Sequence, residues 1–138
     1  MVKSILIPIS ESDQLYKSVE FVNSEFSDIS ITILYVSYNN KSGDDPFWHY
    51  LSNKNDGEKR IDETFEEVKS KINTKNIKEI NTRTRYGDAS RQIVKYIKQN
   101  DIDLIVMRGS GRMGIPRVLF GSVSEYVVRH STKPVLVL

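Results

Sequence analysis

The stretch with the clearest chemical potential is Arg108-Gly109-Ser110-Gly111-Arg112-Met113-Gly114, followed by Arg117 and the pair Gly121-Ser122. Three glycines fall within six residues. Glycine lets the backbone approach a ligand closely, so successive amides can converge on an anion. From Leu104 to Ser124 there are three arginines (Arg108, Arg112 and Arg117) and no acid. A helix beginning near Gly121-Ser122 would add unpaired N–H groups and the positive end of its dipole. Together these parts make a phosphate cradle, with Gly111, Arg112, Gly121 and Ser122 as its holding residues. Each part also has a purely structural reading. Ser122 with Glu125 fits an S-x-x-E capping box, the glycines fit a turn, and the arginines fit solvated charges.

Other chemistries find little support. The chain has no cysteine, which excludes disulfides, thiolate metal sites and thiol nucleophiles. No Gly-x-x-x-x-Gly-Lys occurs, so a Walker-type loop is absent. A response-regulator site would need acids ending the first strand, where Ser10 stands instead, and Lys133 precedes the last strand. His49 and His130 are isolated and form no metal cluster; His130 is expected at a helix end, on or near the apolar face. No general base or activated nucleophile is visible, so the expectation is a non-enzyme, with slow nucleotide hydrolysis left open. A net charge of +2 does not point to nucleic acid, and no apolar run is long enough for a membrane span. Met1-Val2-Lys3-Ser4-Ile5 runs into a strand rather than a signal peptide, so cytoplasm is the expected location.

The elements that must position the glycine loop alternate along the chain. Ile5–Ile9, Ile31–Val36, Leu104–Met107 and Val135–Leu138 are short, continuously apolar runs. Such runs suit strands of a parallel sheet covered on both faces. Leu15, Val19, Val22 and Phe26 share a helical spacing, as do Ile61, Phe65, Val68 and Ile72. Ile93 and Ile97 mark a third helix, opened by Gly87 and an Asp88 cap, and Val123, Tyr126, Val127 and His130 mark a fourth. Ile77–Tyr86, with Arg83 and Arg85, reads as an edge strand protected by charge. The pattern predicts one α/β domain over residues 1–138: a doubly wound, open parallel sheet of five strands in the order 3-2-1-4-5, with four helices. Tyr38–Asp56 is a long loop whose Phe47, Trp48, His49 and Tyr50 are expected to form a small satellite cluster.

In such a sheet a ligand binds beyond the carboxyl ends of the strands, where strand order reverses. That place lies between the first and fourth strands, beside Ser10 and Arg108. The last strand falls at the other edge and carries no charge, so Val135, Leu136, Val137 and Leu138 are expected to pair with their own copies in a homodimer.

The loop Val106–Gly114, the run Leu119–Glu125, Lys133-Pro134-Val135-Leu136-Val137, the first strand Ile5–Ile9 and Gly87-Asp88-Ala89 together resemble the universal stress protein family (UspA-like domain) over essentially the whole chain. The resemblance implies a Rossmann-like fold of the adenine nucleotide alpha hydrolase kind, many of whose members dimerise through the last strand. It also implies ATP or AMP binding in one branch of the family and none in another. The family's nucleotide binders carry Gly-x2-Gly-x9-Gly-Ser/Thr. Gly111, nine residues, then Gly121-Ser122 match its second half, while its first glycine falls on Arg108, with Gly109 one place later. After Pro8-Ile9 the family usually places an Asp, where this chain has Ser10. By family analogy the backbones of Ile9, Val36 and Met107 line the base and ribose pocket, with Pro8 and Val123 beside it. Both departures touch the adenosine half, which leaves two expectations: a nucleotide-responsive dimer, or a dimeric interaction module that has lost the nucleotide.

Overall fold

The computed structural model describes residues 1–9, 12–37, 63, 66, 67, 69, 70, 74–108 and 121–138. Its elements are β1 (Ser4–Ile9), α1 (Ser12–Glu25), β2 (Ile29–Ser37), a 3-10 turn (Thr74–Asn76), β3 (Ile77–Tyr86), α2 (Ala89–Gln99), β4 (Leu104–Met107), α3 (Ser122–His130) and β5 (Val135–Val137). Residues 63, 66, 67, 69 and 70 are helical as well, within the span expected for the second helix. The apolar positions expected there, Ile61, Phe65, Val68 and Ile72, lie outside the described residues, as does the Tyr38–Asp56 loop.

The five strands form one sheet in the order β3-β2-β1-β4-β5, with every neighbouring pair parallel. The expected doubly wound, Rossmann-like arrangement is therefore the observed one. Alternation within each strand explains why both faces are apolar. Ile5, Ile7 and Ile9 of β1 join Ile29, Ile31 and Ile33 of β2 and Val106 of β4 in one core, against Val19 and Val22 of α1. Leu6, Leu34, Val36, Ile105 and Met107 face the other way, against Ile93, Val94, Tyr96 and Ile97 of α2 and Val127 of α3. Each buried Val, Leu, Ile or Met among these contributes about 1.5–3 kcal/mol relative to exposure.

The two edges differ as the sequence suggests. β3 presents exposed Arg83 and half-buried Arg85, and each guanidinium folds back to donate to the preceding carbonyl, Thr82 O at 2.8 Å and Thr84 O at 3.3 Å. β5 ends one residue earlier than expected, but Leu138 still joins the sheet through its amide, which donates to Met107 O at 2.8 Å. The Asp88 cap forms as expected, its carboxylate accepting from Arg91 N at 3.0 Å. His130 ends α3 as expected; it is exposed, stacks on Tyr126 at a centroid distance of 4.0 Å, and its Nδ1 lies 2.9 Å from Tyr126 O. At the amino ends of the strands, the Asp103 carboxylate accepts from Lys3 N (2.9 Å) and Ser4 N (3.0 Å), which joins β1 to β4. Those two backbone bonds hold its pKa below the usual aspartate value, with a smaller contribution from the Lys133 charge.

Candidate functional site

The ladder between β1 and β4 stops early, and this has a cause in the sequence. β1 pairs with β2 over all six residues, Ser4 to Ile9, but with β4 only at Ile5–Leu104 and Leu6–Ile105. The β1–β4 pairing stops before Pro8. Lys3 O accepts from Ser30 N, toward β2, and Ser4 O accepts from Asp103 N, toward β4. Backbone groups alternate sides along a strand, so position 8 faces β4, as position 4 does. A proline there has no N–H to donate. Ile105 N donates to Pro134 O and Met107 O accepts from Leu138 N, so both residues face β5 and Val106 between them turns its carbonyl to β1. The missing bond is therefore the one from position 8 to Val106 O, and without it the ladder ends.

The register also places the family departures. Continuing from Leu6–Ile105, Arg108 stands level with Ile9, beyond the last paired residues. Arg108 is half-buried, while Ile9 and Met107 are buried beneath it. Val36 of β2 extends one residue past the end of β1, since Ile9 pairs with Tyr35. Of the expected lining residues, Val36 and Met107 pack in one core cluster, with Val123 against it, on the α2–α3 side; Ile9 lies in the opposite cluster. Ser10, Gly109, Gly111 and Arg112 lie outside the described residues.

The start of α3 corrects the capping expectation. Gly121 is the N-cap, with φ −73° and ψ 165°, and it supplies no side-chain cap bond. Ser122 is the first helical residue and is exposed. Glu125 does not reach back; its carboxylate pairs with Arg129 at 2.9 Å. The S-x-x-E box is therefore not formed, because the helix begins one residue too early for Ser122 to be its cap. The first helical bond is Glu125 N to Gly121 O at 3.0 Å, so the amides of Ser122, Val123 and Ser124 have no acceptor within the helix. Three such donors beside a positive helix end fit the oxygens of a phosphate.

Sequence reasoning missed Ser124. It is buried, and its hydroxyl donates to Gly121 O at 3.0 Å, which braces the helix start from below. The signal was a small polar residue among the apolar positions of α3. Among the described residues no group of three or more His, Cys, Asp or Glu is placed to hold a metal, and no helix is long and apolar enough to cross a membrane.

Known proteins share this arrangement. A universal stress protein of Methanocaldococcus jannaschii is 39% identical over 59 residues, which is 43% of this chain and 35% of that protein. The matched segment thus spans about a third of that relative's length. The structure of universal stress protein UspA from Lactobacillus plantarum superposes with a TM-score of 0.76 at 26% identity, covering 99% of this chain and 97% of its own. A universal stress protein family protein from Arabidopsis thaliana, solved with AMP bound, shares the fold at a TM-score of 0.61 and 18% identity, covering 99% and 90% of the two chains. The sequence model of the universal stress protein family matches residues 1–138, and the chain therefore belongs to that family.

Proposed function

We propose that this chain is a one-domain, cytoplasmic stress protein that responds to an adenine nucleotide, ATP or AMP, and works as a homodimer. The observations that support the reading are the β1–β4 ladder that stops before Pro8 and, at the start of α3, the amides of Ser122, Val123 and Ser124 with no acceptor within the helix. The phosphates would lie at Gly111, Arg112, Gly121 and Ser122, and the adenosine against the backbones of Ile9, Val36 and Met107. The AMP held by the Arabidopsis protein supports the same ligand class. The bound nucleotide supplies a charged, many-oxygened group whose presence the protein reports; this chain's residues bind and orient it. The reading assigns no catalytic step. The dimer would form by antiparallel pairing of Val135–Leu138 across a two-fold axis, which the uncharged β5 edge supports.

A second reading rests on Arg108. A long cation standing level with Ile9 takes room on the adenosine side, which favours a family member that acts through protein contacts without a nucleotide. The deciding experiment is purification without added ligand, release of bound small molecules and their mass analysis, followed by calorimetry with ATP and AMP. Co-purified or calorimetrically bound adenine nucleotide supports the first reading. Absence of both overturns it and leaves the second.

A further inference from the structure

The net charge of +2 conceals a concentration of cations on one side of the sheet. From Glu79 to Gln99 the chain carries five cations (Arg83, Arg85, Arg91, Lys95 and Lys98) and two acids, Glu79 on β3 and Asp88, which is engaged at the cap of α2. Arg91, Lys95 and Lys98 are exposed on α2. Arg85 lies over the ring of Tyr96, also on α2, with its guanidinium carbon 5.3 Å from the ring centre. Alternation along β3 puts Arg83 on the same face as Arg85. Among the described residues none of the five is in an ion pair. By contrast Glu20, Glu25 and Asp28, in and just beyond α1 on the other side of the sheet, are exposed acids.

Among the described residues β3 is also an edge: ten residues long and paired only with β2. Two arginines two residues apart on such a strand lie about 6.6–6.8 Å apart, the same pitch as carboxylates at alternate positions of an extended peptide. A second copy of β3 laid alongside would set cation against cation, which is destabilising; an acidic strand would set carboxylate against guanidinium. The guanidiniums lie along the edge, bonded to the Thr82 and Thr84 carbonyls and, for Arg85, set over the Tyr96 ring. The exposed large hydrophobics among the described residues are Met1, Val128 and Leu138, none of them on β3 or α2. The face thus offers neither a stacking platform for nucleic-acid bases nor an apolar anchor for a membrane.

We propose that the β3 edge, with the exposed cations of α2 beside it, is a docking site for an extended, acidic segment of a partner protein that adds to the sheet as a sixth strand. Arg83 and Arg85 exchange their bonds to the chain's own carbonyls for the partner's carboxylates, and Arg91, Lys95 and Lys98 steer its approach. The inference is independent of the nucleotide reading, since it uses the opposite edge from β5 and none of the crevice residues.

The test uses the full chain and a fluorescein-labelled peptide of alternating glutamate and threonine, followed by anisotropy at rising NaCl and by amide chemical shifts. Binding that weakens with salt, with shifts along Ile77–Tyr86, is the expected result. Arg83→Glu with Arg85→Glu weakens it at least tenfold and creates binding of the matching lysine–threonine peptide. The neutral pair, Arg83→Gln with Arg85→Gln, gives an intermediate loss and serves where charge reversal impairs folding. A central proline in the peptide abolishes the β3 shifts. No binding, an unchanged affinity in both variants, or shifts confined to α2 overturns the proposal. So does tighter binding of a single-stranded oligonucleotide or of phosphatidylserine vesicles.

Discussion

Replacing Pro8 by valine tests the account of the crevice directly. The substitution keeps a buried aliphatic of similar bulk and supplies one N–H aimed at Val106 O. A ladder hydrogen bond is worth about 0.5–1.5 kcal/mol net, while the lost rigidity of proline in the unfolded chain costs about 0.4–1 kcal/mol. These terms nearly cancel, so a thermal midpoint is a poor readout. Hydrogen exchange is a good one, because the new amide at position 8 has a distinctive partner. It should be protected to the same degree as the Leu6 amide, and the pairing should extend toward Met107. Zipping the strands together narrows the crevice, so any affinity for ATP or AMP measured by calorimetry should fall at least tenfold. An amide at position 8 that exchanges as fast as an exposed one would show that something other than the missing donor parts the strands. A protected amide with unchanged nucleotide affinity would show that the crevice is not where the ligand sits.

The remaining expectations are these. Arg108→Gly, alone or with Ser10→Asp, should tighten ATP binding in calorimetry; if neither does, the explanation of the two family departures is wrong. The Asp103 pKa is depressed in the folded chain, so its contribution to stability is complete above the ordinary aspartate value and is lost as pH falls from about 4 through the folded value. Asp103→Asn should therefore flatten the acid limb of a urea-midpoint series, and an unchanged limb would count against the clamp. Gly87 has φ +124°, and an added Cβ would sit 3.3 Å from Gln92 Nε2, so Gly87→Ala should lower the unfolding free energy by about 1–3 kcal/mol in denaturant titration. Val135→Lys with Val137→Lys should convert a dimer seen by light scattering into a monomer, whereas a wild-type monomer at every concentration refutes the β5 pairing.

Much of the fold was legible because the strands are buried on both faces. Runs such as Ile5–Ile9 and Leu104–Met107 admit no solvent-facing register, so their place in a covered parallel sheet follows from composition alone. The polarity of Ile77–Tyr86 likewise marked it as an edge, and Gly87-Asp88 marked a helix start. The site was less legible. Ser122 looked like a cap because Ser and Glu stand three apart, but which residue caps a helix depends on where the preceding loop leaves it, and Gly121 needs no side chain to do so. The role of Pro8 was hidden for a different reason: a proline in a strand signals a lost donor, but only the pairing pattern tells which neighbour loses it.

The division of the interior into two separate cores has an evolutionary consequence. Adjacent residues of one strand belong to different layers: Ile5 and Ile7 to the α1 side, Leu6 to the side shared by α2 and α3. The second layer also contains Val36, Met107 and Val123, the residues expected beside the nucleotide. Drift in the first layer, at Val19 or Val22 for example, alters how firmly the sheet is held without reaching those residues. Drift in the second shifts the walls of the crevice along with the fold. Lineages of such a chain can therefore retune ligand preference in one layer and buffer the resulting loss of robustness in the other, with a sheet one residue thick keeping the two ledgers apart.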